Sequence, residues 1–275
     1  MLTDYHLHLR PDELAATAAG YFTPANAERY REVAEDRGIA ELGVAEHIHR
    51  FSQALDVWDH PLWREYAVDD IYGYCEFVRS QTDLRLGLEV DFVPGREDRT
   101  QNLIDRLELD YVVGSVHFVG DFAVDHGDYD IWTSGRSARE VWRRYFETLG
   151  AAAGSGLFDI LAHPDLVKVW GAGRPRPDGD PRRFYELAME GIADSGIAVE
   201  VSTAGLRKPV GELYPSPAFL EMCLDAGAPI ALSSDAHVPG DVGRDYEAAL
   251  ELLGESGVGE VCVFERRTRR LESIG

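Results

Sequence analysis

Short runs of alternating apolar residues recur along the chain, and segments of helical periodicity separate them. Alternation is typical of a strand with one buried face, whereas apolar residues three or four positions apart are typical of an amphipathic helix. The alternating runs predict seven strands and a possible eighth: Leu2 to His8, Glu41 to His47, Leu84 to Phe92, Tyr111 to Phe118, Asp159 to His163, Ile197 to Ser202, Pro229 to Asp235 and Glu260 to Phe264.

Helix start signals lie between these strands. Thr23-Pro24, Asp180-Pro181 and Ser216-Pro217 each join a capping side chain to a proline at the first helical position. A regular succession of strand and helix predicts parallel strands, because each helical crossover returns the chain in the same direction. We therefore predict an α/β fold in which residues 1–275 form one domain, with a barrel favoured over an open doubly wound sheet.

Composition narrows the classes of function. A net charge of -22 argues against a protein that coats nucleic acid or binds a membrane surface, because both would need a basic face. The three cysteines lie far apart in apolar runs, which predicts buried free thiols. Because the chain starts without an apolar leader and contains no apolar run long enough to span a membrane, we expect a cytoplasmic protein.

Histidine and carboxylate side chains gather at the ends of the predicted strands. Within each run they have the opposite parity to the bulky apolar residues, so they face away from the outer helices. Such side chains meeting at one barrel mouth predict a metal site, because few cations are available to satisfy them. The candidates are His6, His8, His47, Glu89, His117, His163, Asp235 and His237.

One long insertion follows the second strand. Residues 48–68 are rich in aromatic side chains, and a barrel places such a loop over the catalytic face. A lid over the substrate is one interpretation, but ordinary packing of a surface loop is favoured. His49 and His126 match no ligand pattern and are expected to be structural.

The strand-end motifs resemble, in order and across nearly the whole chain, those of the polymerase and histidinol phosphatase (PHP) superfamily. They read Asp4-Tyr5-His6-Leu7-His8, Glu46-His47, Gly87-Leu88-Glu89, Gly114-Ser115-Val116-His117, Ala162-His163-Pro164 and Ser233-Ser234-Asp235-Ala236-His237. The segment from Glu200 to Pro209, with Tyr214-Pro215-Ser216 after it, resembles more narrowly the histidinol-phosphatase branch.

The resemblance implies a distorted (β/α)7 barrel, similar to a TIM barrel, with three divalent ions drawn from zinc, manganese and iron. The first ion would be bound by His6, His8, Glu89 and Asp235. The second would share Glu89 and add His117 and His163. The third would be bound by His47, His237 and a carboxylate early in the chain, which the motif spacing assigns to Glu13, next to Asp12.

The implied reaction is hydrolysis of L-histidinol phosphate to L-histidinol and phosphate, by attack of a hydroxide that bridges two ions. Asp235 and His237 are candidates for protonating the leaving group. The phosphate would be bound by basic side chains near the motifs, namely Lys168, Arg207, Lys208 and Arg50.

Three alternatives remain at this point. The same site could act on nucleotides or short oligonucleotides. A binuclear amidohydrolase also begins with a His-x-His motif, but that interpretation leaves His47 and His117 without a role and lacks a bridging lysine. A non-catalytic, metal-stabilised domain is the third. The expected partner is a small phosphorylated substrate, and the sequence does not fix the oligomeric state.

Overall fold

The computed structural model describes residues 1–274, in which strands and helices alternate. The strands are β1 (Leu2–Asp4), β2 (Ile39–His47), β3 (Arg85–Asp91), β4 (Tyr111–Ser115), β5 (Phe118–Val119), β6 (Phe122–Ala123), β7 (Ile160–Leu161), β8 (Ala198–Ser202), β9 (Ile230–Ser233), β10 (Glu260–Glu265) and β11 (Thr268–Ser273). The helices are α1 (Ala18–Tyr21), α2 (Pro24–Asp36), α3 (Pro61–Tyr66), α4 (Ile71–Gln81), α5 (Glu97–Ile104), α6 (Ala138–Gly154), α7 (Arg182–Ser195), α8 (Pro217–Asp225) and α9 (Tyr246–Glu255).

Seven parallel strands form the main sheet, in the order β1-β2-β3-β4-β7-β8-β9. Beyond the first and last strands, Leu7 and Ala236 form a parallel bridge. The backbone N–H of His8 donates to the carbonyl of Ala236 over 2.7 Å, which joins the two edges of the sheet. The sheet is therefore a nearly closed barrel, and the predicted distorted (β/α)7 architecture is confirmed.

The two faces of the strands carry the side chains that parity predicts. Outward residues pack with the surrounding helices in one large apolar cluster. The opposite parity leaves the inner face for the histidine and carboxylate side chains. The outward residues that alternation identified, all found in this cluster, are Leu7, Leu9, Leu42, Val44, Leu86, Leu88, Val90, Val112, Val116, Phe118, Ile230 and Leu232.

Aromatic side chains fill the end of the barrel opposite the strand C-termini. The ring centroid of Tyr5 lies 5.0 Å from that of Tyr111 and 5.5 Å from that of Phe264. Gly43 and Gly87 leave the room for Tyr111, since a Cβ atom on either would lie within 2.4 Å of an atom of that side chain. These aromatic rings close the end of the barrel opposite the candidate ligands.

The last predicted strand exists but does not join the barrel. β10 pairs antiparallel with β11, and the hairpin places Phe264 against the barrel floor. Arg266 and Arg267, at the tip of the hairpin, have positive φ values of 48° and 60°. The prediction of a final strand is confirmed in position, and the structure adds the hairpin.

Four predicted strands are shorter than expected, because their last residues leave the hydrogen-bonded ladder. β1 ends at Asp4, before the two histidines of the first motif, and β4 ends at Ser115, before His117. β7 and β9 stop ahead of His163 and Asp235, whose φ values of 24° and 49° no longer fit an extended strand. Most candidate ligands therefore lie on the irregular backbone just beyond the strand ends, whereas His47 and Glu89 lie within β2 and β3.

The insertion after β2 folds into two short 3₁₀ turns and α3. Trp63 is fully buried, and the rings of Trp58 and His60 lie 5.0 and 5.2 Å from that of Phe118 in β5. The insertion thus packs against the β5–β6 hairpin, as the favoured interpretation expects. No helix within residues 1–274 has the length and apolar character needed to cross a membrane.

Candidate metal centre

Glu89 lies at the centre of the barrel mouth and is 1% exposed. Its Oε2 atom is 3.5 Å from His6 Nε2 and 3.7 Å from His8 Nε2. Its Oε1 atom is 3.2 Å from His163 Nε2 and 3.4 Å from His117 Nε2. One carboxylate from β3 therefore faces histidines supplied by three other segments of the barrel.

Asp235 completes a group with the two histidines of the first motif. Its Oδ1 atom lies 3.4 Å from His8 Nε2 and 3.8 Å from His6 Nε2. The donor atoms of these three residues are close enough to share one metal ion, and so are those of His6, Glu89 and His163. The predicted first and second ligand groups are brought together around Glu89.

A third group lies on the outer side of His8. His47 Nε2 and His237 Nε2 are 3.4 Å apart, and His47 also contacts Glu89. Asp12 Oδ2 is 3.1 Å from His237 Nε2, and Asp12 Oδ1 is 3.5 Å from His47 Nε2. These atoms place a carboxylate beside the two histidines, as a third ion would require.

The carboxylate in that group is Asp12, and the assignment of Glu13 needs correction. Glu13 is exposed and makes no side-chain hydrogen bond or ion pair with residues 1–274. The Asp12 side chain, on the loop after β1, is 60% exposed, but its carboxylate reaches both histidines and the buried guanidinium of Arg50. Counting positions from the first motif could not resolve two adjacent acids on an irregular loop.

Several buried polar atoms in the cluster lack hydrogen-bond partners within the described chain. They include His6 Nε2, His8 Nε2, Glu89 Oε2 and Asp235 Oδ1, all of which face the shared space. Leaving such atoms unsatisfied is costly, whereas a divalent cation would accept their lone pairs. A mixed set of imidazole and carboxylate donors suits zinc and related transition metals. These residues therefore fit a metal ion.

The electrostatics favour an ionised Glu89 and a neutral His8, as metal binding needs. At His6 and His117, burial acts to lower the pKa, but nearby carboxylates outweigh it and raise the pKa well above its ordinary value, so a metal ion would have to displace those protons. Burial acts to raise the pKa of Glu89, but His47 and His6 outweigh it and hold that pKa well below its ordinary value. Burial lowers the pKa of His8 well below its ordinary value, and the charges of His47 and His237 add to this effect. The carboxylate is thus ionised and His8 is neutral.

Two of the predicted phosphate-binding cations are already paired. Lys168 Nζ lies 3.0 Å from Asp165 Oδ2 and 3.2 Å from Glu212 Oε2, and its side chain is 2% exposed. Arg50 is fully buried and contacts Glu46 and Asp12. The geometry does not support a free phosphate-binding role for either, because acidic neighbours that the sequence alone could not place occupy both.

The other two cations differ in their surroundings. Arg207 Nη2 donates to the carbonyl of Ser234 over 2.5 Å, and its Nε atom lies 3.5 Å from Asp241. This guanidinium therefore lies against the loop that leads into Asp235. Lys208 is exposed and forms no ion pair with residues 1–274.

A cavity of about 140 Å³ opens beside the cluster. Two carboxylates and several aromatic rings line it, and no lysine or arginine is among the described residues of its wall. The lining residues are Asp12, His47, His49, Leu62, Tyr66, His117, Phe118, Ala123, Asp125 and His126. His49 and His126, expected to be structural, therefore border this cavity, and the insertion contributes Leu62 and Tyr66.

Sequence reasoning assigned no role to two buried carboxylates behind the ligands. Asp91 Oδ1 lies 2.8 Å from His117 Nδ1, and Glu200 Oε1 lies 2.8 Å from His6 Nδ1. Both have the inward parity of their strands, which is the signal that could have identified them.

The nearly closed parallel barrel, with histidine and carboxylate side chains gathered at its strand ends, defines a class, the α/β-barrel proteins with a candidate metal centre at the barrel mouth. The family model of the PHP domain matches residues 23–204. The chain belongs to the PHP family.

Relatives carry a consistent description. A protein of Deinococcus radiodurans described as "Probable histidinol-phosphatase" is 34% identical over 274 residues, which is 97% of each chain. The histidinol-phosphatase of Bacillus subtilis is 26% identical, covering 81% of this chain and 91% of its own. Among solved structures, the histidinol phosphate phosphatase of Lactococcus lactis, complexed with zinc, L-histidinol and phosphate, covers 98% of both chains at 20% identity with a TM-score of 0.69. That likeness shows the fold.

Proposed function

We propose that this chain is a metal-dependent phosphomonoesterase that hydrolyses L-histidinol phosphate to L-histidinol and inorganic phosphate. The observation that carries the proposal is the convergence of five histidines on the buried carboxylate of Glu89, with Asp235 beside two of them. The names of relatives that match nearly the whole chain support the choice of substrate. This reaction belongs to histidine biosynthesis, and we expect residues 1–275 to act as one domain.

The proposed cofactors are three divalent ions. Zinc is favoured by the donor set and by its presence in the Lactococcus lactis protein, and manganese and iron are alternatives. When bound, such ions activate water as a nucleophile near neutral pH and neutralise phosphoryl oxygens. The proposed ligand groups are His6, His8, Glu89 and Asp235, then Glu89, His117 and His163, and last His47, His237 and Asp12.

Asp235 and His237 are the proposed groups for the leaving-group proton. Asp235 is 12% exposed and His237 is 23% exposed at their side chains, so each reaches both the cluster and the open mouth. Burial acts to raise the pKa of Asp235, but His6 and His8 outweigh it and hold that pKa well below its ordinary value. The ionised Asp235 would therefore take a proton from the attacking water and pass it to the leaving oxygen. Arg207, held beside Asp235, is the proposed contact for a phosphate oxygen.

The cavity supports a leaving group that carries a positive charge. Asp125 is 31% exposed, and no lysine or arginine of residues 1–274 pairs with it. L-histidinol combines an ammonium group with an imidazole ring, which matches the Asp125 carboxylate next to the rings of Tyr66 and Phe118. A nucleotide would bring further negative charge to this acidic wall, so the cavity disfavours the nucleotide alternative.

Phosphate release from a panel of esters tests this proposal. The zinc-loaded protein should turn over histidinol phosphate with a kcat/KM at least about 100-fold above that for nucleoside monophosphates or sugar phosphates. A higher kcat/KM for a nucleotide would refute the proposed substrate but not the proposed metal-dependent hydrolysis. No hydrolysis of any ester by the metal-loaded protein would favour a non-catalytic domain.

A further inference from the structure

Glu200 lies in the middle of β8 on the inner face of the barrel and is 1% exposed. Its Oε1 atom accepts hydrogen bonds from His6 Nδ1 at 2.8 Å and from the Ser233 hydroxyl at 2.7 Å. Its Oε2 atom accepts from the backbone N–H of His163 at 2.6 Å. No lysine or arginine of residues 1–274 pairs with this carboxylate, so its contacts all go to residues of the site.

The contact with His6 fixes the orientation and tautomer of that ring. A carboxylate only accepts hydrogen bonds, so Nδ1 must carry the proton. When a cation displaces the other ring proton, the lone pair that it meets is on Nε2, the atom that lies 3.5 Å from Glu89 and 3.8 Å from Asp235. A carboxylate behind the imidazole also makes the ring a better donor to a cation.

The contact with His163 fixes a backbone that would otherwise be unfavourable. His163 has a φ value of 24°, which side-chain-bearing residues rarely adopt. The bond from its N–H to Glu200 anchors this conformation, and its Nε2 atom then points at Glu89 Oε1, 3.2 Å away. The same carboxylate therefore acts on two histidines that face opposite oxygens of Glu89.

We propose that Glu200 is a positioning residue that sets two ligands, His6 and His163, belonging to different ions of the centre. The proposal rests on the metal binding of the proposed function and does not depend on the substrate. It separates Glu200 from Asp91, whose side chain contacts one ligand, His117, through a single hydrogen bond.

Glu200→Gln tests this role because an amide has only one acceptor oxygen. If that oxygen faces His6 and Ser233, the amide N–H₂ faces the N–H of His163, and these two donors cannot form a hydrogen bond. If the amide is turned over, it meets His6 Nδ1 and forces the proton of that ring onto Nε2. Asp91→Asn is the matched comparison, because Asp91 contacts a single ligand, His117.

Zinc affinity of each protein, measured by competition with a chromophoric chelator, is the main readout. Glu200→Gln should weaken two ions, each on the order of 10- to 100-fold, whereas Asp91→Asn should weaken only the ion at His117. Equal affinities for Glu200→Gln and wild type would overturn the proposal, and so would a loss in Glu200→Gln that affects no more ions than the loss in Asp91→Asn. A wild type that binds no zinc would instead overturn the proposed function, and this proposal with it.

Imidazole ¹⁵N resonances supply a readout that general destabilisation would not move. In the zinc-loaded wild type, His6 should show a protonated Nδ1, and Glu200→Gln should lose that signal or shift it. If Glu200→Gln does not fold, Ser233→Ala replaces it, because it removes one donor from Oε1 and should weaken the ion at His6 alone. An unchanged His6 resonance together with unchanged zinc affinity in that variant would contradict the role.

Discussion

Glu89 determines the geometry of the centre at the residue scale. It is the carboxylate that faces both the His6–His8 side and the His117–His163 side, and its burial allows no water to replace those contacts. The unpartnered Oε2 atom and the low pKa have one cause, which is an anion held among imidazoles for a cation to bind.

Replacing Glu89 should abolish shared metal binding. Glu89→Gln removes the charge between two proposed ions, so we expect zinc content to fall by about two ions per chain and hydrolysis to fall more than about 100-fold. Elemental analysis after dialysis and phosphate release measure the two effects. Glu251→Gln, on the exposed face of α9, is the matched control and should change neither. Full metal content in Glu89→Gln would refute the bridging role.

Asp125 should contribute to selection of the leaving group. Asp125→Asn removes a charge from the cavity wall, so we expect KM for histidinol phosphate to rise about 10-fold, the cost of one charged hydrogen bond. KM for an aryl phosphate whose leaving group is uncharged should show little change. Asp128→Asn, outside the cavity lining, is the control. If KM rose equally for both esters, Asp125 would act through the overall electrostatic potential of the site and would not select the leaving group.

Asp4 gives the metal-free protein a specific pH dependence. Burial raises the pKa of Asp4 from 3.8 to about 6, although hydrogen bonds from Ser234 and Gly243 oppose the shift. The folded state thus binds this proton more tightly than the unfolded state, and the resulting stability is lost as pH rises through about 6.

The comparison with Asp4→Asn isolates that contribution. Between pH 4 and 7 in chelator, the free energy of unfolding of wild type should fall by about 2.4 kcal/mol relative to the variant. Urea unfolding at several pH values measures it. Parallel pH profiles for the two proteins would show that Asp4 does not titrate in this range.

The sequence predicted the ligand residues better than their polar neighbours. Strand parity identifies side chains such as His117 that project inward from a strand end. It does not predict whether Asp12 or Glu13 contacts the histidines, because a loop has no regular alternation and a shift of one residue would exchange their positions. Nor does it reveal that Lys168 is paired, since Glu212 comes from a segment distant in the chain.

Close packing at the barrel floor is a property of several elements together. Gly87 in β3 lies against Tyr111 in β4, and a Cβ atom there would be 2.3 Å from the ring. Gly87→Ala should therefore destabilise the fold by roughly 1–3 kcal/mol, because the ring is enclosed and cannot move aside. Urea unfolding checks this value. Gly20→Ala in α1, with no atom within 4 Å of the added Cβ, should be nearly neutral. Equal stability of both variants would mean that the floor has room.

Element prediction succeeded where periodicity was strong and failed where tertiary contacts decide. All seven barrel strands were located, and capped helices such as Pro24–Asp36 begin where the sequence predicts. The hairpin partner Thr268–Ser273 was missed, because its charged, mostly exposed residues carry little apolar alternation. The insertion at 48–68 could not be placed in advance, since its conformation depends on Phe118 in a later segment.

At the scale of the whole molecule, the barrel explains why ligands distant in sequence become neighbours. Parallel strands present their carboxyl ends at one rim, so residues from His6 to His237 reach a single centre. The chain carries a net charge of -22, so bound ions would provide the positive charge that the phosphate needs. Metal and substrate recognition are therefore coupled in this account.

Zinc titration of the chelated protein, with phosphate release from histidinol phosphate measured at each step, tests that coupling most directly. The account predicts no turnover without metal and a rise to full activity as up to about three zinc ions bind per chain. Full hydrolysis of histidinol phosphate by the metal-free protein would contradict it.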